Sequence, residues 1–549
     1  MTTPSTPVGE MSWNAWGDPD RASALPESVR GLVASVLGVA LRDASAVEES
    51  ALAVPPSVLP AAARDALAAV VGPDHVDLSD AARVRRTGGK STPDLLRRRA
   101  GDVADAPDAV VRPASHAQVL DVLRACAEHR VAVVPFGGGT SVVGGVEPLH
   151  PGFEAVISLD LGRMKALLAV DPVSRTATLQ PGLRTPEAEE LLAAHGLTLG
   201  HQPQSYEYAT IGGYAATRSS GQSSAGYGRF DAMVLHLRAA TPRGTLDLGR
   251  SPGSAAGPDL KQLLLGSEGA FGVITEVTVR VRPLPEAQRD EAWTFPDFAT
   301  GTAALRALAQ GGVPPTLVRL SDETETFVNA ALSGGQATGG CLAVVAHEGT
   351  ADQVAARRAE TAAALEAAGG TCMGEEPVAQ WRHSRYAGPY LRDGLLGAGV
   401  LAETLETATT WNRLPDLREA VTEALAGALA VDGTPPVVNC HISHVYPEGA
   451  SLYFTVAAAG GDDPAGRWER AKRAAGDAIA GRGGTITHHH AVGADHLPWM
   501  ADEIGDLGVE VLRAVKRTLD PAGVLNPGKL IPPPAPTAAA VAEAPAGDA

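Results

Sequence analysis

Three stretches of this 549-residue chain set glycine beside strand-forming residues, and they restrict the fold more than any other feature. The first is Pro135, Phe136, Gly137, Gly138, Gly139, Thr140 and Ser141, directly after an apolar run beginning at Val131. The second is GHQPQSYEYATIGGYAATRSSGQSSAGYG over residues 200–228, and the third is LLLGSEGAFGVITEV over 263–277. Consecutive glycines let a backbone turn at positive φ and aim neighbouring N–H groups at one point, which suits phosphate oxygens. The first loop lacks both the GK[ST] of a P-loop and the spacing of GxGxxG. Taken alone it reads more readily as a flexible turn. Three such loops, each beside a strand, suit one large polar ligand clasped along its length.

A chain of this length exceeds one ordinary core, so two or three domains are expected. The net charge of −18 argues against a nucleic-acid partner, which needs a basic surface. Cys126, Cys341, Cys372 and Cys440 are scattered without a CxxC pair, so a disulfide framework is not expected and a cytoplasmic setting is. The start, MTTPSTPVGEMSWNAWGD, has no basic, apolar signal-peptide pattern, and no run of about 18 apolar residues predicts a membrane span.

Residues 25–72, rich in Ala, Leu and Val with breaks at Pro55, Pro56 and Pro60, predict two or three helices. The basic segment VRRTGGKSTPDLLRRRAGD at 84–102 reads as an extended surface loop. Ser115 with Gln118 gives a capping-box signature for an amphipathic helix that runs into a strand over Val131–Pro135. Strands are expected at 154–159, 176–180 and 273–281, with a helix in PEAEELLAAHG between two of them. Beyond Pro285, strands (TLVRL, CLAVVAHE, SLYFTVAAA) alternate with Ala-rich helices, which predicts a second domain. The ending PPPAPTAAAVAEAPAGDA is expected to be disordered.

The glycine loops resemble the flavin-binding domain of the vanillyl-alcohol oxidase superfamily, the PCMH-type FAD-binding oxidoreductases. Five phrases in order narrow the resemblance to alkyldihydroxyacetonephosphate synthases and their bacterial relatives. They are WNAWGD (13–18), the second glycine loop, PYLRD with the downstream ETLETA (389–408), HISHVYPEGASLYF (441–454) and THHHAVG (487–493). LDPAGVLNPGKL at 519–530 matches the superfamily's ending. The implied fold is α+β: an N-terminal helical extension and loop (1–105), a PCMH-type FAD-binding domain (106–286) and a cap domain with a large antiparallel sheet flanked by helices (287–500). A C-terminal return to the flavin (501–532) and the tail (533–549) complete it.

The resemblance implies FAD, with its pyrophosphate in the loop from Pro135 to Ser141. Gln204, Ser205, Tyr206, Glu207, Tyr208, Ala209 and Thr210, with Thr217, Arg218, Ser219 and Ser220, would line the flavin. Glu268, Gly269, Ala270, Phe271, Gly272, Val273 and Ile274 would hold the adenine end and the ribitol. Relatives with covalent flavin carry a histidine in the first loop. Thr140 stands here instead, so the flavin is expected to be non-covalent. The implied activity replaces the acyl group of acyl-dihydroxyacetone phosphate by a fatty alcohol, without net redox change, through an adduct at flavin N5. By motif position Tyr453 would be the acid/base residue, His488, His489 and His490 the essential histidine cluster, Arg392 the phosphate ligand, and Arg319 a second required arginine. The alternative is an FAD-dependent dehydrogenase or oxidase of a 2-hydroxy acid such as D-lactate. Peripheral membrane contact and a homodimer both stay open.

From the residues alone these roles have competitors. If THHHAV is a strand, His488 and His490 share one face and His489 the other, a placement that suits proton transfer near neutrality. Three adjacent histidines on a strand cannot converge on one ion, so no metal is expected, and a solvated surface run competes. Tyr453 in an alternating strand reads more readily as a core aromatic with a satisfied hydroxyl. Arg392 beside Asp393 reads equally as a surface ion pair. Arg319 differs, because a charge in an apolar strand is costly unless paired. His441, His444 and Tyr446 read as structural.

Overall fold

The computed structural model describes residues 1–4, 8–22, 24–312, 315–332, 339–430 and 433–534. Three main sheets organise it. The first has four strands in the order Val76–Asp77, Ala109–Val111, Ala155–Asp160, Val131–Phe136. The last three run parallel and the Val76–Asp77 edge is antiparallel. Parallel strands need a crossover, and the helix His116–His129 provides it, burying Val119, Val122, Leu123 and Cys126. Ser115 accepts from Gln118 N, but the Gln118 side chain accepts from Ala114 N, so half of the expected capping box forms.

The second sheet is antiparallel, in the order Leu167–Asp171, Thr176–Leu179, Val273–Arg280, Val234–Thr241, Gly244–Leu248. The third has seven antiparallel strands in the order Thr371–Gly374, Ala287–Phe295, Cys341–Gly349, Leu317–Ser321, Val437–Ile442, Gly449–Ala459, Val400–Thr410. One face carries Leu320, Ile442, Phe454 and Leu405 into a core shared with the helices Phe298–Gln310, Leu414–Leu429 and Pro464–Gly481. Strand alternation therefore sends Arg319, His441, Tyr453 and Glu406 to the opposite face. Register aligns them: Ser321 pairs with His441, His441 with Tyr453, and Tyr453 with Glu406.

Segment 84–102 is not an extended surface loop. It contains the helix Thr92–Arg99, opened by a full capping box between Ser91 and Asp94, and Lys90 and Arg98 are buried. Its cations find backbone oxygens rather than water: Lys90 Nζ donates to the Ser12 and Ala15 carbonyls, and Arg98 to those of Asp94 and Gly89. The N-terminal region also completes the first sheet through Val76–Asp77, and its helix Ala61–Val71 packs on His116–His129. At the other end Leu525 bridges Val133 in parallel, extending the same sheet at its far edge. The expected disordered tail lies, from 535 onward, outside the described residues.

Candidate active site

A cavity of about 580 Å³ lies where the three sheets meet, bordered by all three glycine loops and by the polar face of the seven-stranded sheet. In the first loop Gly139 sits at φ +67°, and a Cβ on Gly138 would collide with the Tyr208 carbonyl oxygen. Glycine is thus required for both the turn and the close approach. Among the described residues, no protein acceptor meets the backbone N–H of Gly137, Gly138, Gly139, Thr140 or Ser141. A row of unpaired donors along a cavity wall is the environment that phosphate oxygens satisfy.

Loop residues divide by what they face. Pro135 through Ser141, Gln204, Ser205, Ala209, Thr210, Thr217, Ser219, Ser220, Glu268, Gly269, Gly272, Val273 and Ile274 border the cavity. Six of the expected cofactor residues turn elsewhere. Tyr206 stacks on Tyr386, Glu207 pairs with Arg21, and Tyr208 packs edge-on against Trp16. Arg218 donates to the Leu265 carbonyl and pairs with Asp231, while Ala270 and Phe271 are buried in the core. These residues back the loops from behind. Glu268, at φ +52°, accepts from the Val492 and Gly493 N–H groups and its carbonyl accepts from Asn526 Nδ2, which ties the third loop to both later phrases. Burial pushes the Glu268 carboxyl up to about 7.

On the sheet side, Tyr453 is held between two imidazoles. His441 stacks on it at 4.8 Å between ring centroids and His489 at 6.0 Å, while His490 meets it edge-on at 5.6 Å. The Tyr453 hydroxyl donates to Thr404 Oγ1 at 3.0 Å, and burial pushes it up to about 12, so the phenol is protonated at neutral pH. Arg319 lies against His441 and pairs with Glu325 at 2.7 Å, which offsets the cost of a cation in an apolar strand. Burial alone would raise the Glu325 carboxyl, but Arg319 and His441 hold it far below the usual range. Arg392 also borders the cavity, with its guanidinium on Asp393 and the Lys90 carbonyl. Side-chain exposures of 13% and 12% rule out a surface pair.

The histidine segment is a bend, not a strand. Its ladder partners are replaced by one carboxylate: Glu406 accepts from the His488, His489 and His490 N–H groups at 2.6, 3.1 and 2.9 Å and from Thr487 Oγ1 at 2.7 Å. Three consecutive N–H groups turned toward one point break the alternation of faces. His489 and His490 border the cavity, and His488 turns away to Tyr446 Oη at 2.5 Å. The expected pairing of His488 with His490 therefore fails. Burial pushes His489 and His490 down to about 4 and His444 to about 3, so all three are neutral at pH 7. Burial would also raise Glu406, but the hydrogen bonds it accepts, that from Thr487 among them, hold it well below its ordinary value.

Ligating atoms of His444, His488 and His489 come within 4.8 Å of one another, a grouping that strand geometry did not anticipate. Most of their nitrogens already have partners. His444 Nε2 meets the Gly221 carbonyl at 2.9 Å and its Nδ1 meets Ser443 and Ser451, while His488 and His489 face each other Nδ1 to Nδ1 at 3.0 Å. The carbonyl demands an N–H from His444, which leaves that imidazole without a free lone pair toward the others. Glu406, Glu325, Thr404 and Tyr446 were not singled out from sequence as working residues. Glu406 and Thr404 lie inside the quoted ETLETA phrase, whose alternation with Tyr453 across the sheet was the available signal.

A family model described as "FAD binding domain" matches residues 107–248, and "FAD linked oxidases, C-terminal domain" matches 284–530. The chain is 35% identical over 494 residues to an alkyldihydroxyacetonephosphate synthase of Trypanosoma brucei brucei, covering 85% of this chain and 80% of that one. A solved alkyldihydroxyacetonephosphate synthase superposes with a TM-score of 0.82 at 31% identity, covering 95% of this chain and 99% of the other. A mitochondrial D-lactate dehydrogenase (cytochrome) of Arabidopsis thaliana is 29% identical over 453 residues, 78% of this chain and 74% of its own.

Proposed function

We infer the activity from one premise: the chain belongs to the alkyldihydroxyacetonephosphate synthase family. It is an FAD enzyme that exchanges the acyl group of acyl-dihydroxyacetone phosphate for a fatty alcohol. One observation carries the choice of substrate. Beyond the polar residues the same cavity continues along apolar side chains, Leu32, Val33 and Val36 of the helix Glu27–Leu37 and Phe327, Val328 and Leu332 of the helix Glu323–Leu332. Val36 and Phe327 are 41% and 50% exposed, so this passage reaches the surface. A polar chamber with an apolar exit fits an amphiphile with a long tail. A three-carbon hydroxy acid has no use for the exit.

The residues present fit FAD, because the unpaired N–H groups from Gly137 to Ser141 supply the donors its pyrophosphate needs. Bound flavin supplies the nucleophile that lets the acyloxy group leave without net oxidation. Around it, Arg392 offers a planar fork for the substrate phosphate, Tyr453 a protonated phenol, and His489 and His490 neutral imidazoles. Thr140 supports a non-covalent flavin. No helix among the described residues is long and apolar enough to cross a membrane, and the rim at Val36 and Phe327 is the place where lipid would be met. Four free cysteines support a cytoplasmic setting.

The test is incubation of the purified holoenzyme with palmitoyl-dihydroxyacetone phosphate and labelled hexadecanol. Labelled ether product with released palmitate is expected, and anaerobic D-lactate should leave the flavin oxidised. Bleaching by D-lactate without alkyl exchange would replace this function by the dehydrogenase.

A further inference from the structure

We propose that Arg229 and Tyr446 are positioning residues that fix the tautomers of His488 and His489, so that His489 meets the substrate as an Nε2–H donor. The inference rests on the active site described above and adds a direction to it. Two short contacts link three side chains: Tyr446 Oη to His488 Nε2 at 2.5 Å, and His488 Nδ1 to His489 Nδ1 at 3.0 Å. Each contact holds one proton between two heavy atoms, so the protons must all point the same way along the row.

Arg229 decides which way. Its guanidinium has donors only; it donates to the His488 carbonyl at 3.2 Å and lies beside the Tyr446 hydroxyl. The guanidinium beside the phenol offers its proton no acceptor, so that proton goes to His488 Nε2. A neutral imidazole carries one N–H. His488 therefore holds its proton on Nδ1 and gives it to His489 Nδ1, and His489 holds its proton on Nε2. Burial keeps both rings neutral, His489 down to about 4. The reverse order would need another acceptor for the Tyr446 proton, and among the described residues the only acceptor at hydrogen-bond distance from that hydroxyl is His488 Nε2. Glu406 Oε2 stands 3.6 Å from His489 Nδ1, beyond hydrogen-bond length, and already accepts from His488 N.

His489 borders the cavity and His488 does not, so the row ends at the substrate. When the Nε2 proton passes to a substrate oxygen, His489 Nδ1 takes the His488 Nδ1 proton and His488 Nε2 takes the phenol proton. The negative charge arrives on Tyr446 Oη beside Arg229, and the reverse shift restores the row. No proton is gained or lost inside the protein beyond the one transferred.

The experiment uses holoenzyme labelled with 15N-imidazole histidine, with the His489 signals assigned by their loss in His489→Asn. Wild type should show His489 Nε2 protonated and Nδ1 bare. In Tyr446→Phe and in Arg229→Gln the His489 pattern should become mixed or reverse, with FAD retained. A protonated Nδ1 in wild type, or an unchanged pattern in both variants, would overturn the proposal. In the alkyl-exchange assay Tyr446→Phe should lower kcat at least tenfold at unchanged KM, and a change in KM alone would count against it. Absence of exchange in the wild type would refute the function while leaving the nitrogen signals to decide the tautomer.

Discussion

Replacing Glu406 with Gln changes one atom in size but four hydrogen bonds in kind. Its Oε1 accepts from Thr487 Oγ1, His489 N and His490 N, and its Oε2 from His488 N. The Gln oxygen keeps the three-bond side, and the amide NH2 then confronts the His488 N–H, donor against donor. Losing that charge-assisted bond and stranding a buried donor costs about 1.5–3 kcal/mol. The three remaining bonds fall to roughly half strength without the charge, which adds about 1–2 kcal/mol. Relief from burying a carboxylate offsets part of this, and about 3 kcal/mol remains. At about 1.4 kcal/mol per tenfold, exchange turnover should fall by up to about 100-fold as the histidine bend leaves its place. Glu406 does not border the cavity, so FAD content, read from the ratio of flavin to protein absorbance, should stay normal. Turnover within threefold of wild type at full FAD content would refute the idea that this carboxylate places the histidines.

Two further outcomes are expected. Acid precipitation should release FAD into the supernatant because Thr140 offers no covalent attachment, and yellow colour retained in the pellet would contradict this. Tyr453→Phe keeps the ring between His441 and His489 but removes the hydroxyl, so FAD and fold should persist while turnover drops by roughly 10²-fold or more; near-normal turnover would leave Tyr453 as packing.

Features written locally were legible in the sequence. The glycine loops announce themselves because a tight turn and a close backbone approach each need a residue without Cβ, as at Gly138 and Gly139. The cost of a charge in an apolar strand likewise marked Arg319 as a residue that must be paired, and Glu325 pairs it. What was misread depends on partners far along the chain. THHHAV has the pattern of a strand, yet Glu406, some 80 residues earlier, captures its N–H groups and folds it into a bend. The run of basic residues at 84–102 looked solvated because its partners, the Ser12 and Ala15 carbonyls, lie about 75 residues away. Tyr206, Glu207 and Tyr208 sit inside the flavin loop but answer to Tyr386, Arg21 and Trp16. Composition cannot say which side of a loop faces the cavity.

The anchorage of the N-terminal segment has a consequence for how the chain is made. Trp16 N donates to Asp393, 377 residues downstream, and Trp13 and Trp16 are both buried. At the opposite end Asn526 donates to the Gly145 carbonyl, 381 residues upstream. The Trp16 N–H therefore waits for most of synthesis before Asp393 exists, whereas Trp13 can already pack on Val84 and Val103, and Ser12 and Ala15 can already meet Lys90. At roughly 5–20 residues per second that wait lasts about 20–80 s. The contacts that join each of these segments to its distant partner therefore form late.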